Sequence, residues 1–232
     1  VKKIIFSAVA VGTLLSLFGC NNPSDSVRMA PETQAAELKP MQQSFRGVLP
    51  CADCEGIETS LFLEKDGTWV MNERGIGAKM PDVSASWGSW ARTADKLVLT
   101  DARGNKRYFR PDGEGLEMLD QEGNPIESAL NYRLESVQTQ LPKTPMAMKG
   151  KYMYMADAAT FTDCATGRTF IFDNNIQMER AYSQARDQSM QPVLVKLEAH
   201  FTLTPNPDSG EMQMTVVPDS DGRFAPGKDC ND

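Results

Sequence analysis

Downstream of Met41 the chain is cut into short runs of aromatic and β-branched residues by turn signals at nearly even spacing, and that punctuation dictates strands. The runs are Phe45 to Leu49, Ile57 to Glu64, Thr68 to Glu73, Val83 to Arg92, Lys96 to Thr100, Lys106 to Arg110, Leu116 to Leu119 and Leu130 to Glu135. Asp66-Gly67 marks a tight hairpin turn, Arg103-Gly104-Asn105 and Pro111-Asp112-Gly113 mark loops, and Gly123-Asn124-Pro125 closes off the penultimate run. Leu61 and Leu63 alternate with Phe62, and Leu97 and Leu99 with Val98, so some strands are apolar on both faces. A closed barrel hides one face and leaves the other to be capped. Consecutive hairpins with no long crossover predict an up-and-down barrel of eight or more strands.

Alternation lapses between Val137 and Met148, where Gln138-Thr139-Gln140-Leu141-Pro142-Lys143-Thr144-Pro145 carries two prolines. We place a linker there, at 139–148, between an N-terminal lipocalin-like β-barrel at 41–138 and a second domain at 149–232. The second domain reads as Lys151 to Met155, Thr160 to Cys164 and Arg168 to Phe172, then a helix, then Val193 to Thr204 and Met212 to Val217. Asn174 or Asn175 caps the helix. Ile176, Met178 or Glu179, Tyr182 and Ala185 or Arg186 form its partial stripe, and Pro192 stops it. Three strands, a helix and two strands is the order of an OB-fold barrel. The fold class expected is therefore mainly β, two small barrels and one helix.

The start of the chain is an address. Lys2 and Lys3 precede an uncharged run from Ile4 to Phe18, the charged and apolar regions of a secretory leader, shorter than a membrane span of roughly 20 residues. Leu17-Phe18-Gly19-Cys20 resembles the bacterial lipobox, although Phe18 stands where that motif usually has a small residue. The resemblance implies a signal peptide at 1–19 and lipidation of Cys20. Asn21, rather than Asp, after the lipidated cysteine resembles outer-membrane lipoproteins of Gram-negative cells, anchored and facing the periplasm. Residues 20–40 are poor in apolar periodicity and read as a flexible tether.

Net charge is −7 and falls to −9 when the two leader lysines are removed, which argues against nucleic acid as a partner. With Cys20 acylated, Cys51, Cys54, Cys164 and Cys230 remain in an oxidising compartment. Four cysteines allow three connectivities. A chain divided near residue 140 favours Cys51 with Cys54 and Cys164 with Cys230, the pairing that stays within domains.

Other motifs offer little chemistry. Cys51-Ala52-Asp53-Cys54 follows Pro50 and precedes a β-run, whereas thioredoxin-type catalysis needs its first cysteine at a helix N-terminus. Zinc wants four ligands, and the single histidine, His200, is distant in sequence. Met146 with Met148, Met153 with Met155 and Met212 with Met214 each place two thioethers on one strand face. Such sulfurs suit Cu(I) but more often fill cores. Gly222 to Asp229 has phosphate-loop spacing without the Ser or Thr and helix that such a loop requires. Trp69, Trp87 and Trp90 read as core. Neither a catalytic set, a cofactor nor a metal site is expected.

Three stretches carry a resemblance: Leu49-Pro50-Cys51-Ala52-Asp53-Cys54-Glu55-Gly56-Ile57, Trp87-Gly88-Ser89-Trp90, and Ala156-Asp157-Ala158-Ala159-Thr160-Phe161-Thr162-Asp163-Cys164. Together they resemble the NlpE (CutF) family of outer-membrane lipoproteins. The resemblance implies an N-terminal lipocalin-like barrel and a C-terminal OB-fold. It implies reporting of lipoprotein-trafficking faults, defective oxidative folding and surface contact to the periplasmic domain of the Cpx sensor histidine kinase. The lipoprotein-sorting and periplasmic disulfide-forming machineries would be further partners, and copper tolerance an alternative task. A Cys164–Cys230 bridge would then double as a sensor of oxidative folding.

Overall fold

The computed structural model describes residues 43–77, 82–93, 95–187 and 190–232. The leader, Cys20 and the tether lie outside the described residues. From Gln43 onward the chain builds two barrels in succession.

Eight antiparallel strands form the first: β1 (Gln43–Leu49), β2 (Gly56–Leu63), β3 (Thr68–Ile76), β4 (Val83–Arg92), β5 (Leu97–Asp101), β6 (Lys106–Asp112), β7 (Gly115–Met118) and β8 (Arg133–Val137). Each pairs with the next, and β8 returns to β1 with Phe45 opposite Ser136. Closure therefore leaves no edge. Period-two alternation sends Leu61, Leu63, Trp69, Met71, Leu97, Leu99 and Phe109 inward, where they fill the interior. Gly88 lies opposite Trp69, and a Cβ there would sit 1.9 Å from the Thr100 carbonyl oxygen. The space is needed because the Trp69 indole donates to that same oxygen, at 3.1 Å. In the β2–β3 turn Gly67 adopts φ +87° and the Asp66 carboxylate accepts from the Thr68 amide at 2.7 Å, which explains the Asp-Gly signal.

Most strand ends differ from the sequence reading by one to three residues, and two of the shifts have a local cause. β6 runs through Pro111 and Asp112, read as loop; Pro111 lies opposite Leu116, past the last residue that β5 pairs with, where a missing amide is tolerated. The last strand begins at Arg133 rather than Leu130, because the Asn131 side chain bonds the Arg133 amide and the Val48 carbonyl instead of continuing a ladder.

The second barrel contains β9 (Met146–Met155), β10 (Ala158–Asp163), β11 (Thr169–Phe172), α1 (Ile176–Ala185), β12 (Val193–Pro205) and β13 (Met212–Pro218). β12 spends its first half on β9 and its second on β13, while β11 runs parallel to β13, which closes a five-stranded OB-type barrel. β14 (Arg223–Ala225), a short strand with no strong signal of its own, adds to the outside of β12. β9 starts at Met146, inside the stretch read as linker, because Met146 and Met148 are 3% and 2% exposed and point into the core. Asn175 caps α1 by accepting from the Gln177 and Met178 amides. Its buried stripe is Met178 and Tyr182, with Ile176 left 56% exposed, and the helix ends at Ala185, well before Pro192. Tyr152 anchors the core beneath it, ringed edge-on by Phe172, Tyr182 and Phe224.

Candidate functional site

The apolar outer face of the first barrel explains why the barrels are joined. Phe62, Val70 and Trp87 lie directly opposite one another on β2, β3 and β4, and all three point away from the barrel interior. They are 4%, 1% and 8% exposed because they pack into the core cluster of the second barrel. Burying side chains of this size stabilises by about 1.5–3 kcal/mol each, so the seam is a structural contact rather than a loose touch.

At the centre of the seam the Trp87 indole Nε1 donates to the Asp163 carboxylate at 3.0 Å. Asp163 is fully buried. A carboxylate in such a place is costly unless its oxygens are occupied, and the turn after β10 occupies them. Thr166 donates from its hydroxyl at 2.7 Å and from its amide at 3.0 Å, with the Ala165 amide at 3.3 Å. The first barrel thus supplies one donor to a charge the second barrel cannot leave unpaired. Weaker ties surround it. Arg168 lays its guanidinium over Gly67, where a Cβ would lie 2.5 Å from Nη2. Thr144 in the connection donates to Asn72 at 2.8 Å, and Lys65 pairs with Glu211 at 3.2 Å.

Cys164 follows Asp163 directly and is bonded to Cys230, 66 residues away. Its amide donates to the Lys149 carbonyl at 2.9 Å, which ties the turn to β9. The bridge also fixes the tail after β14. Lys149 Nζ donates to the Cys230 carbonyl at 2.7 Å, and Lys151 pairs with Asp229 at 2.9 Å. Hydrogen bonding from Lys151, helped by the Cys230 amide, holds the Asp229 carboxyl below the usual carboxylate range. Exposed pairs of this kind add little, while ordering backbone costs about 1–2 kcal/mol per residue. Order in the tail therefore depends on the covalent link.

Cys51 and Cys54 are bonded to each other with Cα atoms 5.3 Å apart, in the loop between β1 and β2. The turn between β2 and β3 that meets the second barrel is at the other end of β2, so this bridge stands away from the seam. Cys54 Sγ contacts the Gly56 carbonyl oxygen at 3.2 Å, and a strand rather than a helix follows. Closing so short a loop is worth about 2 kcal/mol in loop-closure entropy, against about 4 for the Cys164–Cys230 loop.

His200 lies 2.9 Å from both carboxylate oxygens of Asp219. Among the described residues no group of three or more His, Cys, Asp or Glu side chains is arranged to hold a metal ion. Of the paired methionines, Met146, Met148 and Met214 are buried, while Met155 and Met212 are 52% and 47% exposed. Trp69 is buried inside the first barrel, and the Trp90 indole donates to the Glu64 carbonyl. Trp87 is core too, but of the seam. Sequence reasoning missed the seam's polar centre. Its one signal was the double-faced apolar pattern around Phe62, which shows that something covers the barrel without showing what.

Family models describe the two barrels separately. Residues 45–129 match the NlpE N-terminal domain and residues 142–231 the NlpE C-terminal OB domain. Lipoprotein NlpE of Escherichia coli strain K12 is 61% identical over 232 residues, covering 100% of this chain and 98% of that protein. The chain belongs to the NlpE family. NlpE proteins are lipoproteins of the cell envelope, not enzymes. Among solved structures, the Cpx pathway activator NlpE from Escherichia coli is 62% identical, covers 83% of this chain and 100% of its own, and superposes with a TM-score of 0.41. A protein described as a putative lipoprotein from Shewanella oneidensis is 30% identical over 41% of this chain and 88% of its own, with a TM-score of 0.36.

Proposed function

We propose that this chain is an outer-membrane lipoprotein, anchored through Cys20 and facing the periplasm, that activates the Cpx two-component system by contact with the periplasmic domain of its sensor kinase. The observation that carries the reading is full-length identity of 61% to lipoprotein NlpE, whose Escherichia coli form is described as a Cpx pathway activator. The domain division follows the same reading: leader at 1–19, tether at 20–40, a first barrel that meets the kinase, and a second barrel that governs it.

Two inputs fit this architecture. The first is location. While sorting delivers the anchor to the outer membrane, the barrel is kept from the inner-membrane kinase; when sorting fails, a weak interface gains the effective concentration it lacks. The second is oxidation. When the disulfide-forming machinery fails, the Cys164–Cys230 closure is lost beside Asp163, the second barrel loosens, and the face bearing Phe62, Val70 and Trp87 is released. Surface contact would act on the first barrel through the same tether.

The test is to replace Asn21 with Asp, which retains the lipoprotein in the inner membrane, and to read a Cpx-dependent reporter. Output should rise. Unchanged output with retention confirmed by fractionation overturns the proximity mechanism.

A further inference from the structure

The outer face of the second barrel gathers cations that the sequence scatters. Register sets Lys149 of β9 opposite Lys196 of β12, and Lys196 opposite Arg223 of β14. Met148, Gly150, Val195 and Leu197 beside them are buried, so Lys149 and Lys196 point outward, and Arg223 is exposed on the same side of the sheet. Lys151 continues this face two residues along β9. Like charges directly opposite one another weaken a sheet, and the whole chain carries net −7. A row of cations across three adjacent strands of an acidic protein is thus held against its own repulsion. The side chains of Lys196 and Arg223 have no hydrogen-bond or ion-pair partner among the described residues.

One end of the row is covered. Lys149 takes the Cys230 carbonyl and Lys151 the Asp229 carboxylate, while the Asp232 carboxylate accepts from the Asp229 amide at 2.7 Å and so folds the tail over them. The occupant is a peptide with acidic side chains, and the two lysines read its main chain and its carboxylate at adjacent positions.

We propose that Lys149, Lys151, Lys196 and Arg223 form a docking surface for an acidic segment of a partner protein, with the Asp229–Asp232 tail as its intramolecular occupant while Cys164–Cys230 is closed. Lys196 and Arg223 give the incoming segment a first foothold, and it competes with the tail for Lys149 and Lys151. Opening the bridge removes the competitor. The trigger rests on the oxidative-folding part of the proposed function; the surface does not.

Binding of fluorescein-labelled octa-aspartate to the full chain in dodecyl maltoside, followed by fluorescence anisotropy, tests this. Asp229→Asn with Asp232→Asn leaves the bridge in place and should tighten binding about threefold, as Lys151 becomes available while Lys149 stays on the Cys230 carbonyl. Cys164→Ser with Cys230→Ser frees both lysines and should tighten it at least as much. Lys196→Glu with Arg223→Glu should abolish binding in every background, and added salt should weaken what remains. An aspartate variant that binds no tighter than wild type, or binding that survives the charge reversal, overturns the surface. A gain in the aspartate variant without one in the cysteine variant overturns the redox trigger at this surface, while the surface stands; the oxidation input of the proposed function fails separately, if the cysteine variant leaves a Cpx-dependent reporter unchanged.

Discussion

Replacing Trp87 with Phe isolates the polar contact that joins the barrels. Phe keeps most of the ring that packs beside Val70 but deletes the indole N–H, so the fully buried Asp163 retains only its donors from Ala165 and Thr166. A hydrogen bond to a charged group is worth about 1.5–3 kcal/mol, and each 1.4 kcal/mol is a factor of ten. The equilibrium between docked and undocked barrels should shift by roughly 10- to 150-fold toward undocked. Small-angle scattering of the mature chain should then show a larger radius of gyration, and proteolysis should enter the connection between Val137 and Met146 sooner. Trp90→Phe is the control, since that indole donates to the Glu64 carbonyl within the first barrel. A double-mutant cycle with Asp163→Asn should return a coupling of similar size. If Trp87→Phe stays as compact as wild type and the coupling is below about 0.5 kcal/mol, within the error of additivity, Asp163 does not hold the seam and the argument fails.

Urea unfolding should separate the two bridges. Opening Cys164–Cys230 by paired Ser substitutions should cost the second barrel about 4 kcal/mol, and opening Cys51–Cys54 should cost the first about 2. Gly88→Ala should destabilise the first barrel by about 3 kcal/mol in the same assay, because the Thr100 backbone cannot give way as a side chain would. The Asp229 carboxyl is depressed in the folded chain, so its contribution is present above the ordinary value of 3.8 and is lost as pH falls through the lowered one. Protection of the Cys230 amide from exchange should therefore fall as pH drops below 3.8, and Lys151→Ala should weaken that pH dependence.

Local chemistry was readable along the whole described chain. Alternation around Leu61 and Leu63, Asp66-Gly67, the helix start at Asn174 or Asn175 and the order of elements through β13 each depend on neighbours a few residues away, and these are where their patterns place them; only the short β14 was not read. Errors fell where a local signal was overruled. Prolines near Met146 read as linker, but two buried methionine side chains outweighed them. Pro111 read as a loop, but no strand asked for its amide.

What no window of sequence contained was which strands would face each other across the two barrels. Trp87 and Asp163 are 76 residues apart, and a carboxylate in a turn gives no sign that an indole on another domain will complete it. The cationic row has the same origin. Lys149, Lys196 and Arg223 are unremarkable singly and become a surface only through strand register. Pattern along a chain is enough to specify strands and turns because their hydrogen bonds and side-chain faces repeat every two residues; contacts between strands depend on register and closure, which are settled when the whole core packs at once.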